Sequence, residues 1–352
     1  MQIVSVGRAF PPHYADQESL IAAFRAVWGA RHHNAARVEQ LHRSVLVGGR
    51  HLALPLHEYP ALRDFGDAND AFIRVGTDVG AAALLQGLDA AGLAPADVDA
   101  IWFTSVTGIA APSIDARIVN RVGLRSDIKR TPIFGLGCVA GAAGIARVAD
   151  YLRGNPDDVA VLVSVELCSL TLQRDDLSIP NLIASGLFGD GAACVVMVGE
   201  RRAARLGLAG PRVVASRSSF YPGTEEVMGW RIGASGFRIV LSAEVPEMVR
   251  RHLVGDVATF LADQHVAPTD VAAWIAHPGG PRVLEVMEEV LPLPPGALAF
   301  TWDGLKRLGN LSSASVLLVL ADTLAAPPPP GGLGLMLAMG PGFCSELVLL
   351  RW

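Results

Sequence analysis

Apolar runs of strand length alternate along the chain with longer stretches of helical period, and the alternation happens twice. The opening residues Met1-Gln-Ile-Val-Ser-Val-Gly-Arg read as a first strand. Further on, Ala94-Pro-Ala-Asp-Val-Asp-Ala-Ile-Trp-Phe-Thr104 is echoed by Ala267-Pro-Thr-Asp-Val-Ala-Ala-Trp-Ile-Ala-His277, 173 residues later. Leu136-Gly-Cys-Val-Ala-Gly through Leu152 is echoed by Leu308-Gly-Asn-Leu-Ser-Ser through Leu324, 172 residues later. Two matches at nearly one spacing indicate an internal duplication. Each copy predicts a helix, an Ala-Pro-x-Asp-Val turn and a buried strand. A loop then leads to a helix opened by Gly-Cys or Gly-Asn, followed by a second apolar strand, Val159–Val165 or Gly334–Met339. Such alternation predicts a layered α/β protein with helix-covered sheets. The charged stretch Glu200-Arg-Arg-Ala-Ala-Arg205 marks the seam, dividing the chain into halves 1–205 and 206–352. Pro327-Pro-Pro-Pro-Gly-Gly332 predicts a loop before the last pair of strands.

Composition narrows the function. With 51% hydrophobic and only 18% charged residues, 352 residues can bury an extensive core. A net charge of -5, without Lys/Arg blocks interleaved with aromatics, argues against nucleic acid as a partner. The longest tempting apolar run, Thr131 to Ala146, spans 16 glycine-rich residues and is too short to cross a bilayer, so no membrane partner is expected. Neither a signal peptide nor a Cys/His zinc spacing is read from the chain. The four cysteines fit a reducing cytoplasm without a disulfide framework or a bound metal.

Cys138 changes the picture. It stands in Thr131-Pro-Ile-Phe-Gly-Leu-Gly-Cys-Val-Ala-Gly-Ala-Ala-Gly-Ile-Ala146, which reads as a buried strand turning sharply into a helix. The positive end of a helix dipole favours a thiolate, and glycines and alanines leave room for a substrate. The bland alternative is a small cysteine packed on a sheet. The duplication weighs against it: the counterpart of Cys138 is Asn310, and the repeated strand of the second copy ends in His277 opposite Thr104. Halves packed about a pseudo-twofold axis would bring Cys138, His277 and Asn310 together.

A thiolate at position 138 can take an acyl group from a thioester and later yield it to a carbon nucleophile. Imidazole and carboxamide N–H groups can hold the oxygen of an enolate as it gains charge, which favours decarboxylation of a malonyl group. Of nine histidines, six crowd the polar N-terminal region, His32 and His33 among them, and only His277 ends a buried strand before Pro278-Gly279-Gly280. A satisfied core histidine and a helix-capping asparagine are the plainer readings of His277 and Asn310.

These residues resemble the type III polyketide synthases, chalcone-synthase-like members of the thiolase fold, and their bacterial branch most of all. Four segments carry the resemblance, which spans nearly the whole chain: Phe134-Gly-Leu-Gly-Cys-Val-Ala-Gly141, Leu187-Phe-Gly-Asp-Gly-Ala192, Ala276-His-Pro-Gly-Gly-Pro281 and Leu308-Gly-Asn-Leu-Ser-Ser313. The resemblance implies an α/β thiolase-like fold of duplicated α-β-α-β-α layers. It also implies a cytoplasmic homodimer that loads an acyl-CoA or malonyl-CoA starter on Cys138. Iterative decarboxylative condensation with malonyl-CoA would then end in cyclisation to an aromatic or pyrone. CoA thioesters are substrates, and no cofactor is implied.

In the same way it implies His277 and Asn310 as decarboxylating residues, and Phe188 and Phe237 as gates between CoA tunnel and cavity. Ser312, Thr171, Met228, Val106 and Thr107 match cavity-lining positions, Met228 narrowing the cavity where plant relatives carry glycine. Arg43 matches a CoA-binding cation, while Ala36 and Glu39 stand at two others, with Arg37 and Arg50 as substitutes. The Gly-Phe-Gly-Pro-Gly scaffold of the family is here Ala338-Met-Gly-Pro-Gly-Phe343. A single-extension enzyme like ketoacyl synthase III is the alternative, disfavoured by His277-Pro-Gly-Gly and Asn310-Leu-Ser-Ser. A non-catalytic acyl-binding homologue is the other.

Overall fold

A computed structural model describes residues 1–28 and 35–352, so His32 and His33 lie outside the described residues. The duplication is visible in the strand order. The first half supplies Lys129–Ile133, Ala100–Thr104, Val159–Leu167, Asp190–Val198 and Gln2–Ala9, in spatial order from edge to centre. The second continues with Arg212–Phe220, Cys344–Arg351, Leu333–Gly340 and Val271–Ala276. Outward from the centre each half repeats two antiparallel pairings and then a parallel one. The halves join through the pair Gln2↔Arg212.

Alternating side chains sort this sheet into layers. From Val159–Leu167, Ala160 and Leu162 face a central core, while Val159, Val161, Val163, Val165 and Leu167 face an outer one. In the second half Met336 and Ala338 face the same central core, and Leu335 and Leu337 face another outer one. The central core holds the helices Ala140–Gly154 and Ser315–Ala325, sandwiched between the two half-sheets. The helix Phe65–Ala91 covers one outer face, and Val245–Asp263 with Pro281–Val290 covers the other. This is the α-β-α-β-α succession of the thiolase-like fold. Strands buried on both faces read as continuous apolar runs, which is why Val159–Leu167 and Leu333–Gly340 were legible to within two residues.

The two central helices touch near the site. A Cβ on Gly141 would come within 2.4 Å of the Ser313 carbonyl oxygen and 2.7 Å of Val316 Cγ1. Both neighbours belong to the other copy, so the glycine lets the second segment approach the turn bearing Cys138. Gly141→Ala is expected to destabilise the protein by about 1–3 kcal/mol through overpacking. Denaturant melts would show it as a lower midpoint with an unchanged slope. Among the described residues, no helix is long and apolar enough to cross a membrane.

Candidate active site

Cys138 lies in the short 3-10 turn Gly137–Val139 that leads into Ala140–Gly154. The turn fits because its surroundings lack side chains. Gly137 has φ +57, and a Cβ there would sit 2.8 Å from Pro341. Gly340, across the gap, would place its Cβ 3.4 Å from that of Cys138. The intact Gly340-Pro341-Gly342 part of the C-terminal motif therefore forms one wall of the seat of Cys138.

The second copy meets this turn from the other side. Cys138 Sγ–H donates to Ser312 Oγ at 3.7 Å, and Ser312 holds φ 44 to make the approach. Ser312 N–H donates to Asn310 Oδ1 at 2.8 Å, a capping bond made by a residue two places before the 3-10 turn Ser312–Ala314. With its oxygen thus occupied, Asn310 directs Nδ2 to the Gly279 carbonyl at 3.2 Å. His277, after the strand Val271–Ala276, donates its backbone N–H to Leu337. A Cβ on Gly279 would stand 3.6 Å from His277 Cδ2. His277 is 3% exposed, and neither Nδ1 nor Nε2 has a hydrogen-bond partner. Two unpaired imidazole nitrogens in a buried place are costly unless something is to bind there.

Electrostatics sets the resting state. Burial pushes the Cys138 thiol up to about 12, hydrogen bonding to Ser312 and Asn310 pulls it down, and the charge of Glu166 opposes them. Burial holds His277 near 3, so the imidazole is neutral. Desolvation thus outweighs the helix dipole, and the free protein carries a thiol where the turn alone favours a thiolate. The alkylation rate of Cys138 by iodoacetamide should accordingly climb about tenfold per pH unit from pH 6 upward with no plateau below about pH 9. Measured rates that level off near pH 7 would instead reveal a thiolate-imidazolium pair.

Glu166 was not singled out in the sequence, although a lone carboxylate within an apolar strand is a signal. It accepts from Val106 N–H at 3.1 Å, Thr107 Oγ1 at 3.0 Å and Ser105 Oγ at 3.3 Å, and from both the N–H and hydroxyl of Ser313. Burial still raises its carboxyl to about 7. It thereby ties the 105–107 loop of one copy to the segment after Asn310 in the other. Val106 and Thr107 are accordingly buried and anchored.

Phe188 and Phe237 stand on either side of Trp230, with ring centroids 6.3 and 6.1 Å from the indole. Phe188, Thr171 and Trp230 line an apolar cavity of about 270 Å³ that also meets Leu172, Phe24 and Arg50. Cys138 is not in its lining. Met228 is also absent from the lining; it packs against the outer core around Tyr221 and Val227, and Trp230, two residues on, takes the wall. Arg43 is engaged by Glu18 at 2.9 Å and Glu39 at 3.3 Å, which holds its guanidinium as part of a surface network. Arg50 is buried at 2% exposure and offers no surface charge to CoA. Among the described residues no cluster of His, Cys, Asp and Glu could hold a metal ion.

Stacked half-sheets around two buried helices, with a cysteine from one copy against Ser312 and Asn310 of the other, define a thiolase-like acyltransferase. Family models for chalcone and stilbene synthases match residues 1–201 with the N-terminal domain and 212–352 with the C-terminal domain. The chain belongs to the chalcone and stilbene synthase family and is a type III polyketide synthase. It is 54% identical to 1,3,6,8-tetrahydroxynaphthalene synthase of Streptomyces peucetius subsp. caesius, over 99% of this chain and 93% of that one. It is 29% identical to phloroglucinol synthase of Pseudomonas fluorescens, over 97% of each chain. The crystal structure of 1,3,6,8-tetrahydroxynaphthalene synthase from Streptomyces coelicolor A3(2), a bacterial type III polyketide synthase, superposes with a TM-score of 0.93 at 30% identity, covering 100% of this chain and 99% of that one.

Proposed function

We propose that this synthase uses malonyl-CoA as starter and extender and releases 1,3,6,8-tetrahydroxynaphthalene. The observation carrying the mechanism is the run Cys138, Ser312, Asn310, Gly279 beside a buried His277 whose ring nitrogens are unbonded. The product follows from the 54% identical relative. A naphthalene has ten carbons, or five two-carbon units. Five malonyl-CoA then give one tetrahydroxynaphthalene, five CoA, five carbon dioxide and one water.

In the loading step the neutral His277 takes the thiol proton as Cys138 attacks the thioester carbonyl, and CoA leaves with a proton. An incoming malonyl-CoA loses its carboxylate as carbon dioxide. The electron pair of that bond becomes an enolate, whose oxygen receives hydrogen bonds from Asn310 Nδ2 and His277. The enolate carbon attacks the acyl-Cys138 carbonyl, and the thiolate leaves. Apolar walls at Phe188, Trp230 and Phe237 exclude water, which favours condensation over hydrolysis. CoA phosphates would be met at Arg43 only after it parts from Glu18 and Glu39.

The same proposal takes the enzyme as a cytoplasmic homodimer. The strand Lys129–Ile133 is an exposed edge followed by Phe134 at 53% exposure, beside the loop that leaves Ile109 43% exposed. Light scattering that reports a monomer would remove the dimer.

Mass spectrometry of products from purified enzyme and labelled malonyl-CoA tests the chemistry. Tetrahydroxynaphthalene carrying five labelled units is expected. A shorter ring such as a triketide, or product only after adding another acyl-CoA, would overturn the assignment of starter and length.

A further inference from the structure

The helix Ile179–Leu187 ends immediately before Phe188, and its last carbonyls are met by three buried side chains from the N-terminal segment. Arg50 donates its guanidinium N–H groups to the Ser185 and Gly186 oxygens, and lies 3.4 Å from Gln17 Oε1. Gln17 Nε2 donates to Gly186 O at 3.2 Å and to His42 O at 2.7 Å. His42 Nε2 stands 3.0 Å from both Leu182 O and Ser185 Oγ. The final carbonyls of a helix lack partners within it and carry the negative end of its dipole. A buried guanidinium at that end is thus satisfied by the helix itself. The nearby Asp190 is occupied by Ala53 N–H at 2.6 Å and by Ser169.

The clamped helix end continues directly into the site. Leu187 O accepts from Asn310 N–H at 2.9 Å, and Gly189 N–H donates to Asn310 O at 3.0 Å, so that Phe188 and Asn310 pair as a β-bridge. There is no slack in this contact, since a Cβ on Gly189 would lie 2.3 Å from Leu308 O and 3.2 Å from Arg50 Cβ. Both backbone polar groups of Asn310 thus depend on residues 187–189, and Arg50 and Gln17 hold the carbonyls just before them. Cys138 reaches the 185–189 segment only through Asn310; the backbone of its seat is held by Gly340, Pro341 and Ser312.

We propose that Arg50 is a positioning residue for decarboxylation: by capping the helix that ends at Leu187 it fixes the backbone on which Asn310 and the gate Phe188 are carried. The inference rests on the proposed role of Asn310 toward the malonyl enolate. It assigns Arg50 to the second step of the reaction rather than to CoA.

The test compares wild type, Arg50→Ala, Arg50→Lys and Asn310→Ala in two assays. One follows malonyl-CoA decarboxylation as kcat and KM, and the other follows alkylation of Cys138 by iodoacetamide. A displacement of about 1 Å at a reacting group costs on the order of a hundredfold. Arg50→Lys should therefore lower kcat by about ten- to a hundredfold with KM within about twofold, and leave Cys138 alkylation within about twofold. Arg50→Ala should lose more and recover part of it with added guanidinium ion; if it does not fold, Arg50→Lys decides. Unchanged decarboxylation in Arg50→Lys would overturn the proposal. So would parallel losses in decarboxylation and alkylation, which mark general loosening. Asn310→Ala with normal decarboxylation would show instead that the role given to Asn310 is wrong.

Discussion

Cys138→Ala is expected to abolish polyketide formation, a loss on the order of 10³-fold or more, because no other group can hold the growing chain. The three other cysteines cannot substitute. Cys194 is packed in an outer core, Cys168 has no hydrogen bond to Ser312 or Asn310, and Cys344 lies on the far side of the Gly340–Phe343 turn with its S–H donated to the Pro341 carbonyl at 3.2 Å. Removing the thiol leaves His277, Asn310 and their backbone supports in place. Decarboxylation of malonyl-CoA should therefore persist in this variant at a measurable rate while condensed product disappears. Chromatography of the products beside release of labelled carbon dioxide checks both halves of the expectation. Product from Cys138→Ala would remove the covalent mechanism. Loss of decarboxylation in parallel would tie the thiol to the first chemical step.

Asn310→Asp is the second. The side chain has two duties: Oδ1 accepts from Ser312 N–H at 2.8 Å, and Nδ2 donates to Gly279 O at 3.2 Å, facing the place where the enolate would form. Aspartate keeps the acceptor and the shape but loses the donor, and it brings negative charge to a developing anion. Losing one such donor typically costs about 10²–10³ in kcat, and decarboxylation should fall by at least that much. The capping bond to Ser312 survives while the bond to Gly279 is lost, so the melting temperature is measured beside the rate and a folded variant at the assay temperature is required. A variant that melts normally and decarboxylates slowly separates the catalytic duty from the structural one. Normal decarboxylation would leave Asn310 as a cap and nothing else.

What could be read from the chain depended on whether the cause was local. The strands were legible because burial on both faces writes uninterrupted apolar runs, as in Val159–Leu167. The repeat made Cys138 and Asn310 comparable across copies, so their nearness could be anticipated without coordinates. Arg50 was not legible in this way. An arginine in a polar N-terminal stretch reads as surface, and only the end of a helix more than 130 residues later explains its burial. Glu166 shows in the sequence only as a lone carboxylate in an apolar strand, and its partners Val106, Thr107 and Ser313 come from two distant segments. Trp230, two residues after Met228, lines the apolar cavity beside Phe188 and carried no signal of its own in the sequence. Strand alternation keeps Met228 and Trp230 on one face, with Met228 against the outer core and Trp230 in the cavity lining.

The palindromic strand order carries one more consequence. On the proposed mechanism the nucleophile belongs to one copy and the groups that handle the carbon acid belong to the other, so neither half contains a lesser version of the reaction. An ancestor with identical copies would have had two equivalent half-pockets on its axis, each with the same residue at the positions now held by Cys138 and Asn310. The difference between the copies gives the proposed reaction a loading side at Cys138 and an extending side at Asn310 and His277. It also makes the active site a gauge of how the halves are seated. In a denaturant series, condensation should fail no later than the central helices Ala140–Gly154 and Ser315–Ala325 part company.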